Sequence, residues 1–163
     1  MPLSKILTSS LSTGVGGKLL SHKITQITAN SERSSATSYA DDLDFGSFTP
    51  SSSNSIVLIS GVANFDSVNT AYCYYKWVVD GTDFLSTTGT TPIATHIFYS
   101  IDALNNLSYM PSTIFTSITN TDGSAIPVKC QGKVSSGTLR INRSNNASQA
   151  GSPSTVIWLE IAN

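Results

Sequence analysis

The chain reads as an all-β protein: an antiparallel β-sandwich, jelly-roll-like, preceded by a short N-terminal arm. Three observations predict it. No stretch of helical length repeats apolar residues every 3.6 positions, whereas several alternate them strictly. The apolar runs are dominated by β-branched and aromatic side chains, which suit a pleated surface. Turn signals, including Asp80-Gly81 and Asp122-Gly123, separate the runs at near-regular intervals. Eight to ten short strands in this pattern imply two packed sheets.

Residues 1–17 are rich in Ser, Thr and Gly and weakly patterned, so they read as an anchoring arm; residues 18–163 form the sandwich domain. KLLSHKITQIT is the first strand, TSYADDLDFGSFTP follows a polar turn, and the continuous apolar run NSIVLISGVANF fits a strand of the core. In AYCYYKWVVDG, Cys73, Tyr75, Trp77 and Val79 point one way and Tyr72, Tyr74 and Lys76 the other. ATHIFYSIDAL and STIFTSITNTDGS are further strands. In IPVKCQGKV, Val128, Cys130 and Val134 face in and Lys129, Gln131 and Lys133 out. In GTLRINRS, Leu139 and Ile141 are expected inside, Arg140 and Asn142 outside. STVIWLEIA closes the fold with Ile157, Leu159 and Ile161 on one face and Val156, Trp158 and Glu160 on the other. Trp158 fills a second core layer or a contact between subunits, since tryptophan is enriched in both places.

Composition narrows the function. Charged residues are 12% of the chain, about half the usual ~25%, and Ser and Thr exceed a quarter of it. The net charge is −1 and the basic residues are scattered, so there is no field to attract phosphates and nucleic acid is not an expected partner. No apolar run approaches the ~20 residues of a membrane-spanning helix, and the N-terminus lacks the apolar core of a secretory signal. Cys73 and Cys130 both fall on apolar sides of strands and read as buried free thiols, with a disulfide across the core as the alternative.

No catalytic or cofactor motif survives inspection. GVGGKLLS fails the phosphate-loop spacing, with Ser12 where the first glycine belongs and Leu19 after the lysine. His22 and His96 lie in different strands, and no G-x-S-x-G presents a serine to either. Asp41, Asp42 and Asp44 are close enough to suggest calcium, but without the spacing of a calcium loop they read as a solvated turn or edge. Asn106, Asn142 and Asn146 match the glycosylation pattern, a chance outcome in a chain this rich in Ser and Asn. No metal or cofactor is expected, and the chain is not read as an enzyme. The candidate contacts to a neighbouring subunit or a glycan are Tyr72, Tyr74 and Trp158, because aromatic faces suit both partners.

Four segments carry a resemblance: GGKLLS, SSATSYADDLDFGSFTPSSSNSIVLISGVA, GTLRINRSNN and the closing STVIWLEIA. Together they resemble recurring motifs of small virion structural proteins of marine tailed bacteriophages. The leader MPLSKILTSS is similar to the start of phage tail-fibre proteins. The chain departs from that pattern at NSIVLIS, which lacks the usual lysine, and at Ile157-Trp158. The resemblance implies a non-catalytic protein on the virion surface, as a capsid decoration, knob or tail-fibre domain made in the host cytoplasm. It implies a homotrimer and contacts to other capsid or tail proteins, with the arm as anchor. The alternative function is a receptor-binding module that recognises a host-surface glycan.

Overall fold

The computed structural model describes residues 17–67, 71–85, 94–100, 110–143 and 151–163, so the expected arm lies almost entirely outside the described residues. Among these residues there are eleven strands and no helix: β1 (Leu19–Ile27), β2 (Ser31–Arg33), β3 (Ala40–Phe48), β4 (Ser55–Ser67), β5 (Ala71–Val79), β6 (Thr82–Phe84), β7 (His96–Ser100), β8 (Met110–Asn120), β9 (Ile126–Val134), β10 (Leu139–Ile141) and β11 (Ser154–Ala162). They form two antiparallel sheets packed face to face. Sheet 1 has the order β1-β11-β4-β10-β2, with β8 on the other side of β4. Sheet 2 has the order β3-β9-β5-β6, with β7 also on β5.

Apart from the three-residue strands β2, β6 and β10, the pairing is nested: β1 with β11, β3 with β9, β4 with β8 and β5 with β7. The contacts of β11 with β4 and of β9 with β5 then close each sheet. Nested pairing across two sheets is the jelly-roll topology. The expected Asp80-Gly81 turn joins β5 to β6, and both residues have positive φ, 50° and 73°. That is the backbone of a two-residue hairpin loop whose twist matches its strands.

The core fills the space between the sheets with Leu43, Phe45, Val57, Ile59, Phe65, Tyr75, Trp77, Val128, Leu139 and Trp158, among others. Phe65 of sheet 1 stacks on Tyr75 of sheet 2 with ring centroids 4.5 Å apart, and Phe45 stacks on Trp77 at 5.7 Å. The indole of Trp77 lies over β4 at Gly61, where an added Cβ would stand 2.9 Å from Trp77 Cη2. Glycine is thus required there by a close approach, in an otherwise apolar strand.

The closing strand divides as expected, and its inward face is that of Val156, Trp158 and Glu160, which are buried, while Leu159 is exposed and Ile157 and Ile161 are half-buried. Two expectations are corrected. Asn142 is buried, at φ 55°, not outside. Its amide donates to the carbonyls of Ile27 (2.9 Å) and Ala29 (3.1 Å) and accepts from Ser154 Oγ (2.6 Å), so polar satisfaction holds it inside. Asp42, expected on a solvated turn or edge, lies on the edge strand β3 but is not solvated. Its side chain is buried and bound by Arg33 Nε and Nη2 at 2.8 and 2.9 Å, and it accepts the Gly132 amide at 3.0 Å.

Candidate interaction surfaces

A two-sheet sandwich presents two outer faces, and here they differ in chemistry. On sheet 1 the outward positions follow from the register. Ile24 of β1 lies opposite Ile157 of β11, His22 opposite Leu159, Leu58 of β4 opposite Leu159, and Ser60 opposite both Ile157 and Phe115 of β8. Phe115 is 78% exposed and Ile24 60%; Leu20, Val62 and Leu159 are also exposed. The remaining outward positions of β8 are Pro111, Thr113, Ser117 and Thr119, and those at the ends of β1 and β11 include Gln26 and Thr155. Over β1, β11, β8 and the Ile56–Val62 stretch of β4 this face carries no Asp, Glu, Lys or Arg; charge begins at its far end, where Asp66 of β4 lies opposite Arg140 of β10 and Arg140 opposite Glu32 of β2.

The outer face of sheet 2 is charged and tyrosine-lined. Lys76 donates to Asp83 at 2.8 Å, and Lys129 to Asp41 at 2.6 Å with Asp44 at 3.6 Å. The hydrogen bonds from Lys129 and then Gln131 hold the Asp41 carboxyl below the usual carboxylate range. Tyr39 lies beneath two ammonium groups, Lys76 Nζ at 5.1 Å and Lys133 Nζ at 4.7 Å from its ring centroid. Burial, then the neighbouring Tyr74, pushes the Tyr39 phenol up. Asp41, Val78, Gly81, Pro127, Lys129 and Gln131 line a shallow open hollow at one end of the face.

The sequence-predicted contact residues divide between these environments. Tyr72 and Tyr74 stand together on the outer face of sheet 2, 6.5 Å apart, with Tyr72 50% exposed. Trp158 does not join them. It is fully buried on the inner face of sheet 1, with Lys23 Nζ 5.4 Å from its ring centroid, and so takes the core-layer role of the two expected for it. The exposed row that sequence reasoning missed as a surface is the Ile157–Leu159 side of β11. Both sides of that strand are apolar, so periodicity alone does not orient it.

The groups considered for chemistry are dispersed. His22 is exposed on β1, in sheet 1, and His96 lies on β7, in sheet 2. His96 Nδ1 meets Ser112 Oγ at 2.9 Å, and that buried hydroxyl also accepts the Trp77 indole N–H at 3.0 Å. Burial lowers the His96 pKa. Asp41 and Asp44 share Lys129 while Asp42 binds Arg33, and among the described residues no group of three His, Cys, Asp or Glu is placed to hold a metal. Cys73 and Cys130 are free and buried. They sit in neighbouring strands of one sheet, Cys130 opposite Trp77 and Cys73 opposite Val134, rather than facing each other across the core. Asn142, being buried, cannot accept a glycan; Asn106 and Asn146 lie outside the described residues. Among the described residues no helix is long and apolar enough to cross a membrane.

The most elaborate polar site is structural. Glu160 is buried at one end of β11 and accepts Ser21 Oγ (2.7 Å), Ser51 N (2.9 Å), Ser51 Oγ (2.8 Å) and Ser52 N (3.0 Å). Burial alone would raise its pKa, but these hydrogen bonds outweigh it and lower the carboxyl from 4.5 to about 2. The carboxylate pins the Ser51–Ser52 loop over the edge of the sandwich.

No protein-family model matches the chain, and no curated protein matches it. Among solved structures, the chain is similar to the infectious bursal disease virus VP2 subviral particle, with a TM-score of 0.36 and 13% identity over 90% of this chain and 39% of that one. It is also similar to the structure of the Gx strain of that virus, with a TM-score of 0.39 and 13% identity over 89% of this chain and 43% of that one. The T=1 particles derived from infectious bursal virus give a TM-score of 0.37 and 13% identity, covering 90% and 37%. The chain thus spans about two fifths of the length of these structures.

Proposed function

We propose that the chain is a structural, non-catalytic protein of a bacteriophage virion, displayed on the particle exterior as a capsid decoration, knob or short fibre domain. The observation that carries this reading is the pair of unlike outer faces on a jelly roll: one with a continuous apolar stretch across β1, β11, β4 and β8, the other charged and tyrosine-lined. A sheet face of the first kind marks a contact surface, and the second suits a side turned to water. Low overall charge and the phage-like motifs of the strands support the same reading. Assembly is as a homotrimer, with residues 1–17 reaching to capsid or tail proteins. The test is a density map of whole particles together with mass spectrometry of their purified proteins. Copies on the icosahedral shell assign decoration, copies at fibre tips assign a fibre domain, and absence from the particles refutes the proposal.

A receptor-binding role is the second reading, favoured by one observation. Tyr72 and Tyr74 form an exposed aromatic pair with Lys133 Nζ 5.0 Å from the Tyr74 ring, an arrangement that suits a sugar ring. A glycan array probed with the wild-type chain and with Tyr72→Ala tests it; signal unchanged by the substitution, or no signal, rules it out.

A further inference from the structure

We infer that the outer face of sheet 1 is a seam between copies of this chain, with a second copy lying across β1, β11, β4 and β8. This rests on the structural role proposed above and names the surface and its occupant.

The first argument is continuity. Single exposed apolar residues are ordinary on any protein, but here Ile24, Ile157 and Phe115 fall in one cross-strand row interrupted only by Ser60. Leu159 and Leu58 continue it in the next row. The second is charge. An identical copy set over β1, β11, β8 and Ile56–Val62 of β4 meets no Asp, Glu, Lys or Arg and so buries no unpaired one; the charged end at Asp66, Arg140 and Glu32 lies beyond that stretch. The same pairing through sheet 2 would bury Lys76, Lys129 and their carboxylate partners. The third is relief. The projecting Phe115 ring stands directly opposite Ser60, so a knob and a shallow site lie side by side on one surface. Around a three-fold axis each copy can then set Phe115 over the next copy's Ser60, the head-to-tail contact that closes a trimer. The fourth is area. Four strands ~4.8 Å apart and some nine residues long at ~3.3 Å per residue cover about 500 Å² in projection, or about 1,000 Å² for two copies. That reaches the lower bound of specific interfaces only if the whole face is covered.

Sedimentation velocity on the full chain at micromolar concentration tests the inference, comparing wild type with Phe115→Lys, Ile24→Lys and, on the other sheet, Tyr72→Lys. Circular dichroism and thermal melting establish that each variant is folded. The expected result is an oligomer for wild type and Y72K, with F115K and I24K weakened at least tenfold or monomeric. A monomeric wild type, or F115K and I24K both as oligomeric as wild type, overturns the seam. If wild type is monomeric yet present in purified particles, and F115K is lost from them, the face binds a different virion protein; the seam then falls and the virion role stands. An oligomer broken by F115K but absent from particles leaves the seam standing and refutes the virion role.

Discussion

Replacing Glu160 by Gln isolates the contribution of one buried carboxylate. Its folded pKa is lowered from 4.5 to about 2, a difference equivalent to about 3 kcal/mol of stability at neutral pH. Hydrogen bonds to a charged acceptor contribute ~1.5–3 kcal/mol each before desolvation is subtracted, so four of them can supply that net figure. Glutamine keeps the shape but brings an NH₂ among serine donors. The sign follows from the direction: the folded pKa lies below the unfolded one. The stabilisation is therefore complete above about pH 5 and disappears as pH falls through 4.5 towards about 2. Urea denaturation from pH 7 to pH 2.5 is the assay. At pH 7, E160Q should unfold with ~3 kcal/mol less free energy, or melt roughly 6–12 °C lower for a chain of this size. The gap should close as the pH falls, because wild type loses what the variant never had. Equal stabilities at pH 7, or a gap that stays constant down to pH 2.5, would refute the reasoning.

Other outcomes follow from the core. Gly61→Ala should cost about 1–3 kcal/mol by calorimetry, because the new Cβ would meet Trp77, Val156 and Ile114 at 2.9, 3.0 and 3.1 Å. An unchanged melting temperature would show that the indole can move aside. Asp42→Asn leaves the Arg33 guanidinium without its carboxylate and should cost ~3 kcal/mol in a urea titration, as broken, largely buried pairs do. Burial, then the Asp42 charge, pushes the Cys130 thiol up, and burial does the same for Cys73. Both should resist a thiol reagent at pH 8 in the native state and react at the rate of unfolding; prompt labelling of either would contradict their placement.

Much of the fold was legible because its strands alternate. β5 and β9 each bury every second residue, as their sequences require, and Asp-Gly marks the β5–β6 turn. β2 and β6 escaped notice, since three polar or mixed residues carry no period; β2 is held by the equally short β10 and β6 by the longer β5. The orientation of β11 was not legible for a different reason. Hydropathy places isoleucines inward and a glutamate outward, but Glu160 finds its donors at Ser21 and at Ser51 and Ser52, more than a hundred residues away in sequence. Once Glu160 and Trp158 turn in, Ile157, Leu159 and Ile161 must turn out. The apolar outer face is thus the complement of a long-range polar bond. Asn142 and Asp42 follow the same rule: partners distant along the chain decided their burial.

The closing strand occupies the gap between β1 and β4, so sheet 1 has a slot in its middle until the C-terminal residues arrive. Strand β1 meets β11 across more than a hundred residues of chain, so the sheet is completed only when its most distant segments come together. Pairings of such long sequence separation slow folding towards milliseconds to seconds. Clipping nine residues from this end would remove the centre of a sheet rather than trim a tail.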